Sequence, residues 1–326
     1  MTSPLITFYR VVDVVGSALG IVTNVLLLIA IFRSSRSKLQ AYSYMFLFTA
    51  CFDLAYSVLE LLIQHLVISE EGKIFIFPFG IERLLPADFA LGIFFFHCFL
   101  AMNSVFLLPC QYLYRYQILQ DPHTTVWSLV KSVAIASAVA CLCAANAVWM
   151  VLEQRKRPAA YYQEILERAQ IEGREAYMLG ADMVDDLATR FFYQGLGFVT
   201  SNVAIGLCVF YAWKSWHFVQ EREGVAVSTF TRSLQKQFTR SLIVQTVNSF
   251  IFAMSPISLL IVSMVIRQRI LGLYLMLPVS WLPTANALTT IGIIKAYRRY
   301  VLFLCGGKSP DALFTRVTTS VAPTEG

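Results

Sequence analysis

Seven stretches of this chain run for 22 to 28 residues with scarcely a charge, at 11–32, 41–68, 89–113, 126–151, 191–213, 241–266 and 270–294. At about 1.5 Å per residue, a helix of that length crosses a hydrocarbon core of about 30 Å. Lipid offers no partner to a backbone amide, so each segment must satisfy its own hydrogen bonds as a helix or join a closed barrel. The runs do not alternate with period two. An all-α, seven-transmembrane helix bundle is therefore predicted, with residues 1–300 as one membrane domain and 301–326 as a short cytoplasmic tail. The composition, 57% hydrophobic and 14% charged, has too few charges for a soluble enzyme, which carries about 25%.

A formal net charge of +6 would suit a nucleic-acid partner if the cations were pooled, but they are parcelled out among the loops. With the N-terminus placed outside, 15 of the 26 Lys and Arg fall on the inner side, as the positive-inside rule favours. The start, MTSPLITFYR, has neither a basic nor an apolar leader region, so the first span is expected to direct insertion itself. Six of the seven cysteines sit within apolar runs; no disulfide framework or zinc pair is expected, and no cofactor. The outer loop 153–190 carries Asp182, Asp185 and Asp186 without the spacing of a calcium loop. It reads as a solvated face. The tail after Lys308, rich in Ser, Thr and Pro, reads as disordered. No internal repeat of the transporter kind is present.

Ionisable groups inside a span are costly, so each is a candidate functional residue. Asp53 and Glu60 lie two helical turns apart on one face of span two, with Ser57 and Gln64 on the same stripe. In span three His97, Ser104 and Gln111 recur every seven residues, and Arg115 continues the line. The two stripes are expected to face each other. Glu60 and His97 each lie about 12 Å below the outer helix ends, and Asn24 and Asp53 sit near mid-membrane. Two readings stay open: an outer ligand pair above a deeper conformational switch, or hydrogen bonds that only fix helix packing. The candidate ligand cavity adds Met102, Asn103, Tyr193, Phe198, Tyr274 and Trp281 to Glu60, Gln64 and His97. The candidate switch adds Pro256, Pro283 and Asn286. Pro256, Pro278 and Pro283 are expected to kink their spans, and Gly16-Ser-Ala-Leu-Gly20 to allow a close helix contact. On the inner side STFTRSLQKQFTR (228–240) leads into span six. KAYRRYVLFLC (295–305) suits an interfacial helix with Cys305 as a lipidation candidate.

Four stretches carry a family likeness: GIVTNVLLLIAIFRSSRSKLQAYSYMFLFTACFDLAYSVLE (20–60), FLLPCQYLYRYQIL (106–119), SLQKQFTRSLIVQTV (233–247) and LPTANALTTIGIIKAYRRYV (282–301). In this order and spacing they resemble the nematode serpentine chemoreceptors, the Str-type superfamily of seven-helix G-protein-coupled receptors. The resemblance implies a small chemical ligand, a heterotrimeric G protein as partner and a plasma-membrane location, with a sensory cilium as the expected site. It points to Tyr114, Arg115, Tyr116, Lys236 and Arg240 as the coupling surface. Ala285-Asn286-Ala287 departs from the family's acidic residue beside a second Pro. The chain also lacks the Asp-Arg-Tyr and Asn-Pro-x-x-Tyr motifs of rhodopsin-like receptors. The rival reading is a small-solute or ion transporter with a path through Asp53, Glu60 and His97. No paired catalytic constellation supports an enzyme.

Overall fold

The computed structural model describes residues 4–34, 37–70, 73–121, 123–154, 177–179, 187–221, 229–265 and 277–306. Helices α1 (Pro4–Ser34), α2 (Ser37–Ile63), α3 (Ala87–Gln120), α4 (Val126–Gln154) and α5 (Leu187–Glu221) are followed by α6 (Thr229–Ser249). A π-helical turn, Phe250–Met254, carries α6 into α7 (Ser255–Val265). A 3₁₀ turn, Val279–Trp281, opens α8 (Leu282–Ile293), and α9 (Lys295–Leu304) follows. Among the described residues six helical stretches are long and apolar enough to cross a membrane: Ile6–Arg33, Tyr42–Ile63, Asp88–Gln120, Val126–Leu152, Gly195–Gln220 and Ser233–Leu259. Of the seventh expected span, residues 277–294 are described.

The expected second span, 41–68, ends early. Helix α2 stops at Ile63, Gln64 turns the chain with a φ of 47°, and His65–Glu70 forms strand β1. β1 pairs antiparallel with β2 (Lys73–Pro78), from His65 opposite Pro78 to Glu70 opposite Lys73, and β2 pairs with β3 (Tyr177–Leu179). Leu-Val-Ile and Ile-Phe-Ile-Phe are apolar enough to pass as helix in a window, but β-branched and aromatic residues favour a pleated surface. The Gly80 amide bonds to Ile63 O at 2.8 Å, and a Cβ there would collide with the Leu62 carbonyl. Only glycine allows the hairpin to return this close to the end of α2.

Span three is longer than 89–113, so Tyr114, Arg115 and Tyr116 lie within its last turns. The three prolines expected to kink their spans take distinct places in the helices. Pro283 is the second residue of α8, where a missing amide leaves no intrahelical bond unmade. Pro256 follows the π turn as the second residue of α7, and Pro278 caps the 3₁₀ turn. Pro109 lies inside α3.

The Gly16–Gly20 contact forms as expected. A Cβ on Gly16 would meet Trp281, one on Gly20 would overlap Ser57, and Thr284 Oγ1 donates to Gly16 O at 3.0 Å. Helix α1 is thereby packed closely against α2 and α8. α3 is the central column, packed against α2, α4, α5 and α6. At the end opposite the hairpin, called inner here after the orientation expected from the charge pattern, with the hairpin end outer, Tyr42 stacks on Phe238 with centroids 4.3 Å apart, and Tyr297 bonds to Ser43 at 3.0 Å. Val199, Val203, Val209, Trp213 and Trp216 of α5 are exposed, the disposition of a helix solvated by lipid rather than water.

Candidate functional site

The two polar stripes meet, in tiers down α3. At the outer tier His97 Nε2 lies 2.5 Å from Glu60 Oε2, His97 Nδ1 lies 3.3 Å from His65 Nδ1, and His65 Nε2 lies 2.7 Å from Glu82 Oε2. All three contacts are satisfied when both Nε2 atoms carry protons toward their carboxylates and one proton is shared between the two Nδ1 atoms. Burial holds the His65 imidazole below its ordinary value, against the opposing pull of the Glu82 hydrogen bond. Tyr56 stacks on the His97 ring at 5.4 Å, and Tyr9 Oη donates to His65 O at 2.9 Å. Asp13 of α1 is buried beside Glu60 and Ser280. Arg10 donates twice to Gln64 Oε1 at 3.2 Å, so Gln64 binds α1. The chain is linear rather than convergent. Among the described residues no three His, Cys, Asp or Glu side chains gather as metal ligands.

At mid-membrane Asp53 accepts from Ser104 Oγ at 3.1 Å and from Asn286 Nδ2 at 3.3 Å, which joins α2, α3 and α8. Asn24 donates to Gly20 O at 2.9 Å and Pro283 O at 3.3 Å, so Asn24 and Asp53 bond to other partners while lining one narrow cavity. One turn further in, Gln111 donates to Thr49, and Gln245 of α6 donates to Thr290 of α8 at 2.7 Å. The amide oxygens of Asn24, Gln111, Gln245 and Asn286 are buried without a partner.

At the inner tier Arg115 is 4% exposed, and its Nη2 donates to Thr239 Oγ1 of α6 at 2.6 Å. Tyr114 is buried, whereas Tyr116 is half-buried with the Lys214 ammonium 5.5 Å from its ring centroid. Lys236 and Arg240 are exposed on α6.

The remaining candidates scatter. Trp281 packs on Gly16. Met102 packs against the main apolar core. Asn103 turns toward α4, where its Oδ1 accepts from Ser137 at 3.1 Å. Phe198 is exposed on α5. Tyr193 lies on α5 with its side chain outside the described residues, and Tyr274 lies wholly outside them. Cys305 is exposed in the turn after α9.

Asp13, His65 and Glu82 were not among the sequence candidates. Asp13 had a signal, as the one acid within the first apolar run. His65 was hidden by an overlong second span, and Glu82 by its place in a loop.

Membrane-length apolar helices packed around a buried polar column define a multi-pass helical membrane protein of the seven-transmembrane type. The chain belongs to the serpentine type 7TM GPCR chemoreceptor Str family, whose model matches residues 9–302. No curated protein matches it.

Proposed function

We propose that this protein is a chemosensory receptor that takes a small chemical from the outer side and signals to a heterotrimeric G protein within. The polar column along α3 carries this reading, because it runs from a charged outer cluster to a buried Arg115 that touches α6. A ligand that supplies Glu60 or His97 with a replacement partner releases the outer contact and shifts the helix arrangement by its differential affinity. Asp53, Asn286 and Asn24 then serve as the switch at mid-membrane. The unpartnered amide oxygens there leave a second pairing pattern close in energy. Tyr114, Arg115, Tyr116, Lys236 and Arg240 form the coupling surface at the inner end. Family membership favours this over a transporter that uses the same groups as a proton path.

The N-terminus lies outside, and the protein works at the plasma membrane, in a sensory cilium. The test joins topology to ligand response. An epitope within 160–170 is reached by antibody on intact cells, and one after Ser309 only after permeabilisation. Glu60→Gln and His97→Asn shift the potency of agonists found by screening, at unchanged surface amount. The reversed topology overturns the receptor reading, and unchanged potency in both variants removes Glu60 and His97 from the ligand site.

A further inference from the structure

At the α9 end of the bundle a groove of about 400 Å³ opens between α6 and the α8–α9 junction, lined by Ser233, Lys236, Gln237, Arg240, Lys295 and Arg298 together with Gly292 and Ile293. Four of these side chains are cations and none is acidic. Among the described residues none of the four forms an ion pair. The groove has a built floor. Gln237 Oε1 accepts from the Lys295 amide at 2.9 Å, which ties α6 to the start of α9, and Arg298 Nη1 donates to Gly292 O at 3.0 Å.

What adjoins the groove decides its occupant. Lys236 and Arg240 are followed on the same face of α6 by Ile243 and Val247, at steps of four, three and four residues. Those two are 49% and 48% exposed. On the facing helix Gly292 is preceded one turn earlier by Leu288, 53% exposed. The seam between the helices is closed on its inner side by the Gln245–Thr290 and Asn248–Thr289 bonds at 2.7 and 3.0 Å. Ile243, Val247 and Leu288 therefore present exposed apolar side chains on the outward faces of the two helices, following on from the basic groove. Exposed Leu302, Phe303 and Leu304 close α9 with apolar side chains at the same end, as suits a helix end at a bilayer surface.

We propose that the groove is a binding site for the phosphorylated headgroup of an anionic lipid, whose acyl chains lie along Ile243, Val247 and Leu288. Basic pockets between helix ends at the membrane surface suit such headgroups, and the guanidiniums of Arg240 and Arg298 match phosphate oxygens in pairs. A soluble peptide or a free phosphate would use the cations but not the apolar side chains beside them. The assignment does not depend on the receptor reading, since a transporter of the same fold would carry the same groove.

The test uses the full chain in phosphatidylcholine nanodiscs titrated with phosphatidylinositol bisphosphate, with retained lipid counted by native mass spectrometry. Lys236→Gln combined with Arg240→Gln weakens retention on the order of tenfold or more, because each cation near the surface contributes substantially. The charge-keeping pair Lys236→Arg and Arg240→Lys retains lipid. So does the control pair Arg33→Gln and Lys131→Gln, which removes two exposed cations elsewhere. Inositol phosphate without acyl chains competes at least about tenfold less well than the lipid, having lost the buried methylenes. Equal loss in the control pair overturns the proposal in favour of diffuse charge. Competition by the bare headgroup as strong as the lipid's overturns the acyl-chain contact and leaves a free-phosphate site. An acidic peptide held in lipid-free micelles as tightly as the lipid assigns the groove to a protein partner instead.

Discussion

Glu60, His97, His65 and Glu82 are joined by contacts between carboxylates and imidazoles, whereas two and four turns further along α3 the bonds link amides, hydroxyls and a single Asp53. Both regions are buried, and both connect three or more elements. They differ in what a broken contact leaves behind. Losing one partner of a buried ion pair strands the other charge in a low dielectric, which costs about 3–5 kcal/mol. Losing a neutral hydrogen bond between membrane helices costs about 0.6 kcal/mol on average. The outer cluster is thus suited to hold the hairpin and helix ends in one arrangement, and the mid-membrane tier to exchange partners at little cost. Asn24, Gln111, Gln245 and Asn286 each keep a buried amide oxygen without a partner in this tier.

The largest effect that follows from this contrast is on stability at the outer end. Glu60→Ala removes the partner of His97 and is expected to destabilise the protein by about 3–5 kcal/mol, read as a loss of thermal stability in nanodiscs. Adding His97→Ala should recover part of that loss, because the stranded charge goes too, and the cycle of four proteins isolates the pair. A strictly additive cycle would break the comparison, since the outer tier would then behave like the neutral one.

Close helix contact ranks next. Gly20→Val places methyl groups where Ser57 and Pro283 already lie, an overpacking expected to cost about 1–3 kcal/mol. Gly92→Val, whose added Cβ meets nothing within 4 Å, serves as the control and should not destabilise the protein, since valine has the higher helix propensity of the two.

Arg115 is expected to affect signalling more than stability. Its guanidinium donates to Thr239 across the α3–α6 interface while Nε has no partner. Arg115→Lys keeps the charge but loses the planar fork and should retain partial coupling. Arg115→Ala should lose most of it. Ligand binding and surface amount, measured alongside, should change little. The smallest stability change belongs to Gln245→Leu, which removes one bond to Thr290 together with one orphaned oxygen. It should stay within about 1 kcal/mol of the parent while shifting agonist efficacy. A cost as large as that of Glu60→Ala would show that the mid-membrane tier is as rigid as the outer one.

The seven-residue spacing of His97, Ser104 and Gln111 against Asp53 and Glu60 was legible in the sequence because helical periodicity fixes which residues share a face. Their direct meeting follows from it. The partners in the third dimension were less legible. Arg115 bonds to Thr239, one of several polar residues on α6 that the sequence alone does not rank. Gln237 instead accepts from the Lys295 amide and Gln245 donates to Thr290. The hairpin at His65–Pro78 escaped a hydropathy reading because an apolar strand and the end of an apolar helix share composition. Asn103 was grouped with a cavity by proximity to the stripe, yet one step off that stripe is enough to aim it at Ser137 of α4.

The most direct test of the receptor account reconstitutes the chain with a heterotrimeric G protein in sealed proteoliposomes and applies an agonist from screening. Nucleotide exchange on the G protein and solute or ion flux are recorded in the same preparation. The account predicts agonist-dependent exchange that is lost in Arg115→Ala, with no flux above that of protein-free vesicles. Agonist-driven flux in the absence of any G protein, with no exchange in its presence, would contradict it and assign the Asp53, Glu60 and His97 column to transport.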